Sequence, residues 1–408
     1  MAADVEIAII GGGIVGVAVQ YWLAKKGVTD TLLLERRELT SGSTWHAAGN
    51  TTYFGPFPKM TRLFAGSIRT YLQAEAESGQ PVGFHQTGSL RLAATERELE
   101  LFHSYAPRYE QLNLPFVIRT PQEVAALHPF VDVSGIFGAA HTPTDGHVDP
   151  TGATQAMAHA SRMMGAEIAR HTPVQALCPT VDGWRVETDK GQVAARRIVV
   201  ATSFWAREML QDLGLNVPLY PTQHHEIITE SISAVQALDG ELPAIRDSWV
   251  SCNVRQEGEG LLIGIYEKSP EFWALDGVPP DFKEELLPPN LDPLMPHLDR
   301  LMERMPIVAD AGIKVVNNGP MCLTPDGLPL IGPVKSHPGL WLAAGFNVGI
   351  GTGGGAGEIL ADWLITNTPP VGLDAIHADR FGSDMTRDAA LAAIRSVYAR
   401  GYQLPDTI

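Results

Sequence analysis

Three glycines and a glutamate near the start of the chain have the spacing of a dinucleotide-binding site. Gly11, Gly13 and Gly16 form the pattern G-x-G-x-x-G directly after a short apolar run. The first glycine of such a motif permits a tight turn, the second lets the backbone approach a pyrophosphate, and the third lets a helix pack closely on the strand. Glu35 follows by about 20 residues, where a carboxylate accepts hydrogen bonds from a ribose hydroxyl. The residues predict FAD or NAD, both with an unphosphorylated ribose, rather than NADP.

The segments around these residues have the order that the motif needs. Residues 5–10 suit a buried strand, a helix-length apolar segment follows the glycines, and residues 31–34 suit a second strand. The run 7–24 has nearly the length of a membrane span, but four glycines and Gln20 interrupt it. We therefore expect a βαβ unit in a soluble protein.

Composition restricts the function further. The chain has 408 residues, 45% of them hydrophobic, and a net charge of −16, which argues against binding to nucleic acid or to an anionic membrane. Cys178, Cys252 and Cys322 are far apart and form no CxxC pair, so neither a disulfide framework nor a structural metal site is expected. The first strand begins almost at once, which leaves no room for a signal peptide. A cytoplasmic enzyme without a metal fits these features best.

Periodicity predicts the remaining elements. Helices are expected over residues 58–79, after a capping box at Thr120 with Glu123, and after Asp149 as far as about residue 164. Strands are expected over residues 88–95 and 167–177.

The second half of the chain predicts a different architecture. A hairpin turns at residues 189–191, and residues 219–266 have the pattern of an antiparallel sheet. A proline-rich excursion covers residues 275–297, and a helix is expected over residues 298–305. The predicted fold class is α/β (α+β mixed), with a Rossmann-like FAD-binding domain interleaved with an antiparallel-sheet substrate domain. We expect the FAD-binding domain to comprise residues 1–85, 146–215 and 330–408, and the substrate-binding domain to comprise residues 86–145 and 216–329.

A second glycine-rich segment follows a strand at residues 340–344. Seven glycines lie between residues 345 and 357, and an amphipathic helix is expected from about residue 354. Glycines let the backbone press against a flat ligand, and a helix N-terminus supplies N–H donors and partial positive charge. The segment therefore predicts a site for an anion or an electron-accepting ring; the alternative is a glycine-rich packing crossover.

Four motifs resemble the FAD domain of the dimethylglycine and sarcosine dehydrogenase family, within the D-amino-acid-oxidase-like flavoproteins. They are GGGIVG, SGSTWHAAG (41–49), VVATSFWA and NGPMCLTPDGLPLIGP (318–333). The resemblance covers nearly the whole chain. It implies that FAD is the cofactor and that His46 carries it covalently through the 8α carbon of the flavin. The alternative for His46 is a buried or capping histidine beside Trp45. The expected cofactor-binding residues are Gly11, Gly13, Ile14, Val15, Gly16, Glu35, Arg36, Ser43, Thr44, His46, Val174, Gly345, Gly349, Ile350, Gly351 and Thr352.

The resemblance also implies a reaction. The family oxidises N-methylated amino acids by hydride transfer to flavin, and the iminium product hydrolyses to formaldehyde. The catalytic histidine of the family falls on His224, expected to accept the proton of the amine, and a substrate-binding tyrosine falls on Tyr266. This sequence departs from the Q-H-Q-Y pattern of the family because His225 and Glu226 follow. Adjacent strand residues face opposite sides, so His225 competes with His224 for the catalytic position.

Partners and rival functions follow from the same resemblance. Larger members continue into a tetrahydrofolate-binding module, whereas this sequence ends at Ile408, so we expect a stand-alone enzyme that releases formaldehyde, or one with a separate folate-binding subunit. The expected partners are a small-molecule amine and an electron acceptor, which is oxygen or an electron-transfer protein; a homo-oligomer is also compatible. The alternatives are oxidative deamination of a primary or cyclic amino acid, and a non-catalytic flavin-binding subunit.

Overall fold

The computed structural model describes residues 2–55, 60–279, 281–382 and 384–404. Pro58 and Lys59, the first two residues of the predicted helix 58–79, lie outside this part of the chain. The strands are β1 Ala2–Ile10, β2 Thr31–Leu34, β3 Asn50–Thr51, β4 Ser89–Ala93, β5 Val117–Arg119, β6 Gly138–Thr142, β7 Gly146–His147, β8 Glu167–Ala169, β9 Val174–Thr180, β10 Gly183–Thr188, β11 Gly191–Val200, β12 Tyr220–Thr229, β13 Ala244–Asp247, β14 Cys252–Glu257, β15 Gly260–Ile265, β16 Ile313–Leu323, β17 Leu330–Pro333 and β18 Leu340–Ala344. The helices are α1 Ile14–Lys25, α2 Thr61–Ser78, α3 Glu96–Gln111, α4 Pro121–Leu127, α5 Pro150–Met163, α6 Ala206–Gln211, α7 Ser233–Gln236, α8 Met295–Arg304, α9 Gly349–Thr366 and α10 Arg387–Arg400.

The first sheet has the order β17-β18-β11-β1-β2-β8, and β10 and β9 extend it from β11. Its central strands β18, β11, β1, β2 and β8 are parallel, and apolar side chains of α1, α2, α5 and α9 form one hydrophobic core with residues of β1, β2, β11 and β18. Parallel strands covered by helices are expected to be apolar throughout, and β2 is buried at every position. This sheet carries the glycine turn at the end of β1.

The second sheet has the order β16-β12-β15-β14-β13-β4-β6-β5. Every neighbouring pair is antiparallel except β13 and β4, which run parallel. The two sheets together confirm the predicted mixed α/β class. The division into two domains stays a prediction; α10, which was assigned to the FAD-binding domain, packs against Tyr220 of β12 and Leu323 of β16 in the second sheet.

Two predicted elements differ from the structure. Residues 167–177 form two strands rather than one, because β8 joins the parallel sheet while β9 pairs with β10. Helix α9 begins at Gly349, five residues earlier than expected. Its glycines lie inside the helix, where they allow other segments to pack closely against it. A Cβ at Gly355 would lie 2.2 Å from the carbonyl oxygen of Leu63, and one at Gly357 would lie 2.6 Å from the carbonyl carbon of Ala18. The packing interpretation of this segment therefore holds for its later glycines.

The predicted capping box of α4 is present. The Thr120 hydroxyl accepts a hydrogen bond from the Glu123 backbone N–H, and the Glu123 carboxylate accepts one from the Thr120 backbone N–H. We expect Thr120→Ala to lower the free energy of unfolding by about 1 kcal/mol, because the helix loses one of its few N-terminal acceptors. Urea denaturation measures the change. Thr120→Ser keeps the hydroxyl and serves as the control; an equal loss in both variants would contradict the capping explanation.

None of the described helices is both long enough and apolar enough to cross a membrane.

Candidate active site

A cavity of about 550 Å³ lies between the two sheets. One wall consists of the glycine turn after β1, residues 41–52 and the start of α9. The opposite wall is the face of the second sheet formed by β12, β13, β14 and β16. The motifs of the first and last thirds of the chain therefore meet polar residues from its middle.

The glycine turn is fixed by close backbone contacts. Gly11 has a φ of +112°, and a Cβ there would lie 2.4 Å from the carbonyl oxygen of Ala201. A Cβ at Gly16 would lie 2.0 Å from the carbonyl oxygen of Gly11, so Gly16 lets α1 pack on the turn. Gly16 does not line the cavity itself, whereas Gly11 and Gly13 do. The backbone N–H groups at the start of α1 consequently face the cavity, where they suit a phosphate.

Glu35 lines the cavity at the end of β2. Its carboxylate accepts hydrogen bonds from the backbone N–H groups of Gly12, at 2.7 Å, and Arg37, at 2.8 Å. Burial raises the pKa of this carboxyl, and the two backbone N–H groups oppose the rise. Glu35 therefore holds the glycine turn and presents its remaining acceptor capacity to the cavity.

Polar residues of the following loop line the same half of the cavity. The Thr44 hydroxyl accepts a hydrogen bond from the Ile14 N–H at 3.1 Å, and the Ser43 hydroxyl lies 2.9 Å from the Ser203 hydroxyl. The Arg36 guanidinium carbon lies 3.9 Å from the centre of the Trp205 ring. The predicted residues Ile14, Val15, Arg36, Ser43, Thr44 and Val174 all line the cavity.

Unpartnered atoms in this half show that the residues fit a nucleotide. Thr202 Oγ1 and Trp205 Nε1 are buried beside the cavity and have no hydrogen-bond partner among the described residues. A buried donor or acceptor without a partner is costly, and the hydroxyls, phosphates and ring nitrogens of FAD supply such partners. The glycine turn, Glu35 and these two atoms form a site that suits the adenosine diphosphate part of FAD.

The start of α9 lines the other half of the cavity. The N-cap residue Val348 provides no side-chain cap, and the first backbone N–H groups of a helix have no acceptor within the helix. Gly345, Gly349, Ile350 and Gly351 line the cavity as predicted. Thr352 does not: its hydroxyl donates to the Val348 carbonyl oxygen at 2.9 Å, and its side chain is fully buried. The assignment of Thr352 to the cofactor site stays a prediction; in the structure its side chain packs inside the protein instead of lining the cavity.

His46 lies where the two walls meet. A Cβ at Gly319 of β16 would lie 2.4 Å from His46 Nδ1, so only a glycine admits the imidazole at this position. The ring also contacts Trp45 edge-on, with 5.5 Å between ring centres. Burial lowers the pKa of His46 to about 4. At neutral pH the ring is uncharged and keeps the lone pair that a bond to the flavin needs.

His224 lies on the opposite wall. Its ring centre lies 4.6 Å from that of Tyr266, and its Nδ1 lies 3.0 Å from the Tyr398 hydroxyl, which donates to the Glu267 carboxylate at 2.8 Å. Burial lowers the pKa of His224 to about 3, and the neighbouring His225 and His46 add to the effect. The role of His224 as the acceptor of the amine proton stays a prediction: the side chain lines the cavity as expected, and its lowered pKa makes the imidazole a weak base.

His225 faces away from the cavity. Its Nε2 accepts a hydrogen bond from the Asn290 N–H at 3.1 Å, and the residue is buried on the other face of β12. Side chains alternate along the strand, and of the two histidines His224 lines the cavity and His225 does not; a catalytic role of His225 stays a prediction that this position does not favour.

A row of directly opposed residues crosses the second sheet on the cavity side. Glu226 of β12 is opposite Gly264 of β15, which is opposite Asn253 of β14; Asn253 is opposite Arg246 of β13, which is opposite Arg91 of β4. All except the glycine line the cavity. We call these five residues the charged row. It places a carboxyl at one end of the cavity wall and two guanidinium groups at the other.

Sequence reasoning did not identify the charged row. The signal was present, because Arg91 lies between leucines in a predicted strand and Glu226 lies two residues after His224, on the same face of β12. The pairing of strands that are distant in sequence was needed to bring these residues together.

A group of possible metal ligands lies outside the cavity wall. His85, His147 and Glu241 place three ligand atoms within 4.8 Å of one another, the one such group among the described residues. The two imidazoles stack with 4.7 Å between their centres, and each lies within hydrogen-bond distance of one oxygen of the Glu241 carboxylate, His147 Nε2 at 3.0 Å. The three side chains thus form a hydrogen-bonded cluster outside the cavity.

Comparisons with known proteins show the family to which the chain belongs. The model of the FAD dependent oxidoreductase family matches residues 6–363. The chain is 42% identical over 399 residues to the mitochondrial dimethylglycine dehydrogenase of Mus musculus, covering 96% of this chain and 46% of the relative. It is 30% identical over 414 residues to the mitochondrial sarcosine dehydrogenase of Homo sapiens, covering 99% of this chain and 44% of the relative. The chain thus spans less than half the length of these relatives.

A solved structure shows the same fold. The crystal structure of L-proline dehydrogenase from P. horikoshii matches with a TM-score of 0.77 at 25% identity, covering 93% of this chain and 96% of that chain. The family match includes the glycine turn, His46, the second sheet and most of α9, and the relatives are those that the motifs predicted. The chain therefore belongs to the FAD dependent oxidoreductase family and is similar over nearly its whole length to dimethylglycine and sarcosine dehydrogenases.

Proposed function

We propose that the protein is an FAD-dependent amine oxidoreductase that oxidises the C–N bond of an N-methylated amino acid and releases formaldehyde. One observation carries the proposal: the wall opposite the cofactor motifs contains two buried guanidinium groups that form no ion pair with any described residue. Arg246 is 5% exposed and Arg91 is 4% exposed.

These arginines favour a carboxylate as the group that anchors the substrate. Arg246 Nη1 and Arg91 Nε are buried without a hydrogen-bond partner among the described residues. Arg91 Nη1 donates to the Tyr402 carbonyl oxygen at 2.7 Å, which fixes the side chain toward the cavity. Burying a charge without a partner is costly, and Arg–carboxylate hydrogen bonds are among the strongest in proteins. A substrate that carries a carboxylate compensates this cost.

The cofactor residues complete the reaction site. FAD, when bound, supplies the two-electron acceptor for the carbon beside nitrogen. Gly11, Gly13 and Glu35 would hold its nucleotide half, and the N–H groups of Gly349–Gly351 would face its ring. A helix N-terminus stabilises negative charge. Tyr266 and the neutral His224 line the opposite wall of the cavity, where they would border the substrate.

We further propose that His46 carries the flavin covalently. The uncharged imidazole has a free lone pair at neutral pH, and Gly319 leaves room for it at the cavity wall. We expect that acid precipitation leaves yellow flavin in the pellet of the wild-type protein and in the supernatant of His46→Ala. His103→Ala removes an exposed histidine of α3 and is the matched control. Flavin in the wild-type supernatant would refute the covalent link.

Product analysis tests the reaction. Under anaerobic conditions an N-methylated amino acid should bleach the flavin absorbance, and turnover should release formaldehyde without ammonia. Ammonia without formaldehyde would instead indicate oxidative deamination of a primary or cyclic amino acid. A flavin that no amine reduces would favour a flavin-binding subunit without turnover.

The acceptor and the fate of formaldehyde need separate measurements. We propose that oxygen or an electron-transfer protein reoxidises the flavin; oxygen consumption during turnover distinguishes them. A separate folate-binding subunit would capture the one-carbon product, and copurification tests for it.

A further inference from the structure

We propose that Glu226 recognises the amine of the substrate: its carboxylate binds the protonated nitrogen of a molecule whose own carboxylate lies at Arg246 and Arg91. Glu226 then takes the ammonium proton, so that an N–H bond breaks, an O–H bond forms on the Glu226 carboxyl, and the nitrogen keeps the electron pair. No electrons leave the substrate in this step. The inference rests on the proposed function and names the charge pattern of its substrate.

The Glu226 side chain lacks a partner inside the protein. The residue is 9% exposed and lines the cavity. Its carboxylate forms no hydrogen bond or ion pair with any described residue. The side chain therefore has the cavity as its polar surroundings. Arg255 of β14 lowers the pKa of Glu226 through its charge, but its own guanidinium pairs with Glu257 and donates to the Ala48 carbonyl oxygen at 3.0 Å. Glu226 therefore keeps its acceptor oxygens for a ligand.

The charged row separates the carboxyl of Glu226 from the guanidinium groups of Arg246 and Arg91. Adjacent strands lie about 4.8 Å apart, so three strand steps separate the Cα atoms of Glu226 and Arg246 by about 14 Å. Gly264 has no side chain, and between the two charges stands only the amide of Asn253, which donates to the Tyr402 hydroxyl at 2.6 Å. Both charged side chains are long enough to lean toward the middle of the row. A molecule with a cation at one end and a carboxylate at the other complements this wall.

The proton-accepting role follows from the surroundings of Glu226. Tyr266, which follows β15, and Arg255 and Glu257 of β14 act on Glu226 through their charges or lie near it. Asn317 is opposite it on β16, and His224 precedes it by two residues on β12. Burial raises the pKa of Glu226 to about 7, with a lowering by Arg255 and a raising by Glu257. His224, with a pKa near 3, remains neutral at pH 7 and is a much weaker base. A general base is most effective when its pKa lies near the working pH.

Two unreactive ligands separate recognition of the cation from recognition of the carboxylate. N,N,N-trimethylglycine carries a permanent cation and a carboxylate, whereas methoxyacetate carries the carboxylate without the cation. Titration of the flavin-containing protein, followed by the flavin absorbance, gives both dissociation constants without turnover. At pH 8 we expect Glu226→Gln to weaken trimethylglycine binding by about tenfold or more, and to change methoxyacetate binding by less than about twofold.

The pH dependence provides a second readout. A carboxyl with a raised pKa is ionised only above that pKa, so the wild-type affinity for trimethylglycine should rise between pH 6 and pH 8. Glu226→Gln should lack this rise, and Glu226→Asp, which keeps the charge, should retain it. Glu259→Gln, in the exposed turn between β14 and β15, is the matched control and should behave as the wild type.

Three results would overturn the inference. These are unchanged trimethylglycine binding in Glu226→Gln, equal weakening of both ligands, and a wild-type protein that binds methoxyacetate but not trimethylglycine at any pH. Failure of the proposed function has a different signature: trimethylglycine binds as expected, but no N-methylated amino acid reduces the flavin.

Discussion

The Gly11→Ala variant should lose most of its FAD. The added Cβ would lie 2.4 Å from the Ala201 carbonyl oxygen, a backbone atom that cannot move without displacing the end of β11. The φ of +112° at Gly11 adds strain for any residue with a Cβ. Overpacking and strain together should cost about 2–5 kcal/mol. This strain would distort the turn that presents backbone N–H groups to the pyrophosphate.

The measurement is the flavin content of the purified protein, from its visible absorbance relative to protein concentration. We expect at most about a tenth of the wild-type content in Gly11→Ala, since about 1.4 kcal/mol corresponds to a factor of ten in binding. Gly27→Ala is the matched control: Gly27 also has a positive φ, +86°, but no atom lies within 4 Å of its added Cβ. This control should lose about 1 kcal/mol of stability and keep its flavin. Full flavin content in Gly11→Ala would show that the turn tolerates the shift.

The contrast between the two glycines shows why this part of the site could be predicted. The strand, turn, helix and acid are consecutive in sequence, so their spacing alone predicts the motif. The contact of Gly11 with Ala201, which is distant in sequence, was not part of that prediction. Helix α9 was located less well, because glycines that normally end a helix are here required by contacts with Leu63 and Ala18, far away in sequence.

The charged row was missed for a physical reason. A strand with one apolar and one polar face is normally read as a strand with the polar face in water. In this sheet the face that bears Arg91, Arg246 and Glu226 covers a cavity instead, and the alternation of residues is the same in both cases. Strand alternation did predict that only one of His224 and His225 faces the cavity. The lowered pKa of His224 depends on burial and on the neighbouring His225 and His46, and the motif encodes neither the burial nor the position of His46.

Replacement of Arg246 by methionine should abolish tight binding of the substrate carboxylate and leave the fold at least as stable. The Arg246 guanidinium forms no hydrogen bond or ion pair with any described residue, and it lies beside Arg91, whose pKa is lowered to about 10 by burial and by the charge of Arg246. Without a ligand, the two like charges repel each other in a poorly solvated space. Methionine retains much of the buried volume and removes the repulsion. We therefore expect an unfolding free energy equal to the wild type or higher by about 1 kcal/mol.

Binding should change in the opposite direction. Truncation of one member of a buried, charge-assisted contact costs about 2–5 kcal/mol, so the dissociation constant for methoxyacetate should rise by about a hundredfold. Flavin absorbance titration measures it, and thermal unfolding measures the stability. Arg62→Met, at an exposed arginine of α2, should change neither quantity. A loss of binding together with a loss of stability would make Arg246 a structural residue, whereas a loss of binding with stability retained identifies a charge kept in the cavity for the ligand alone.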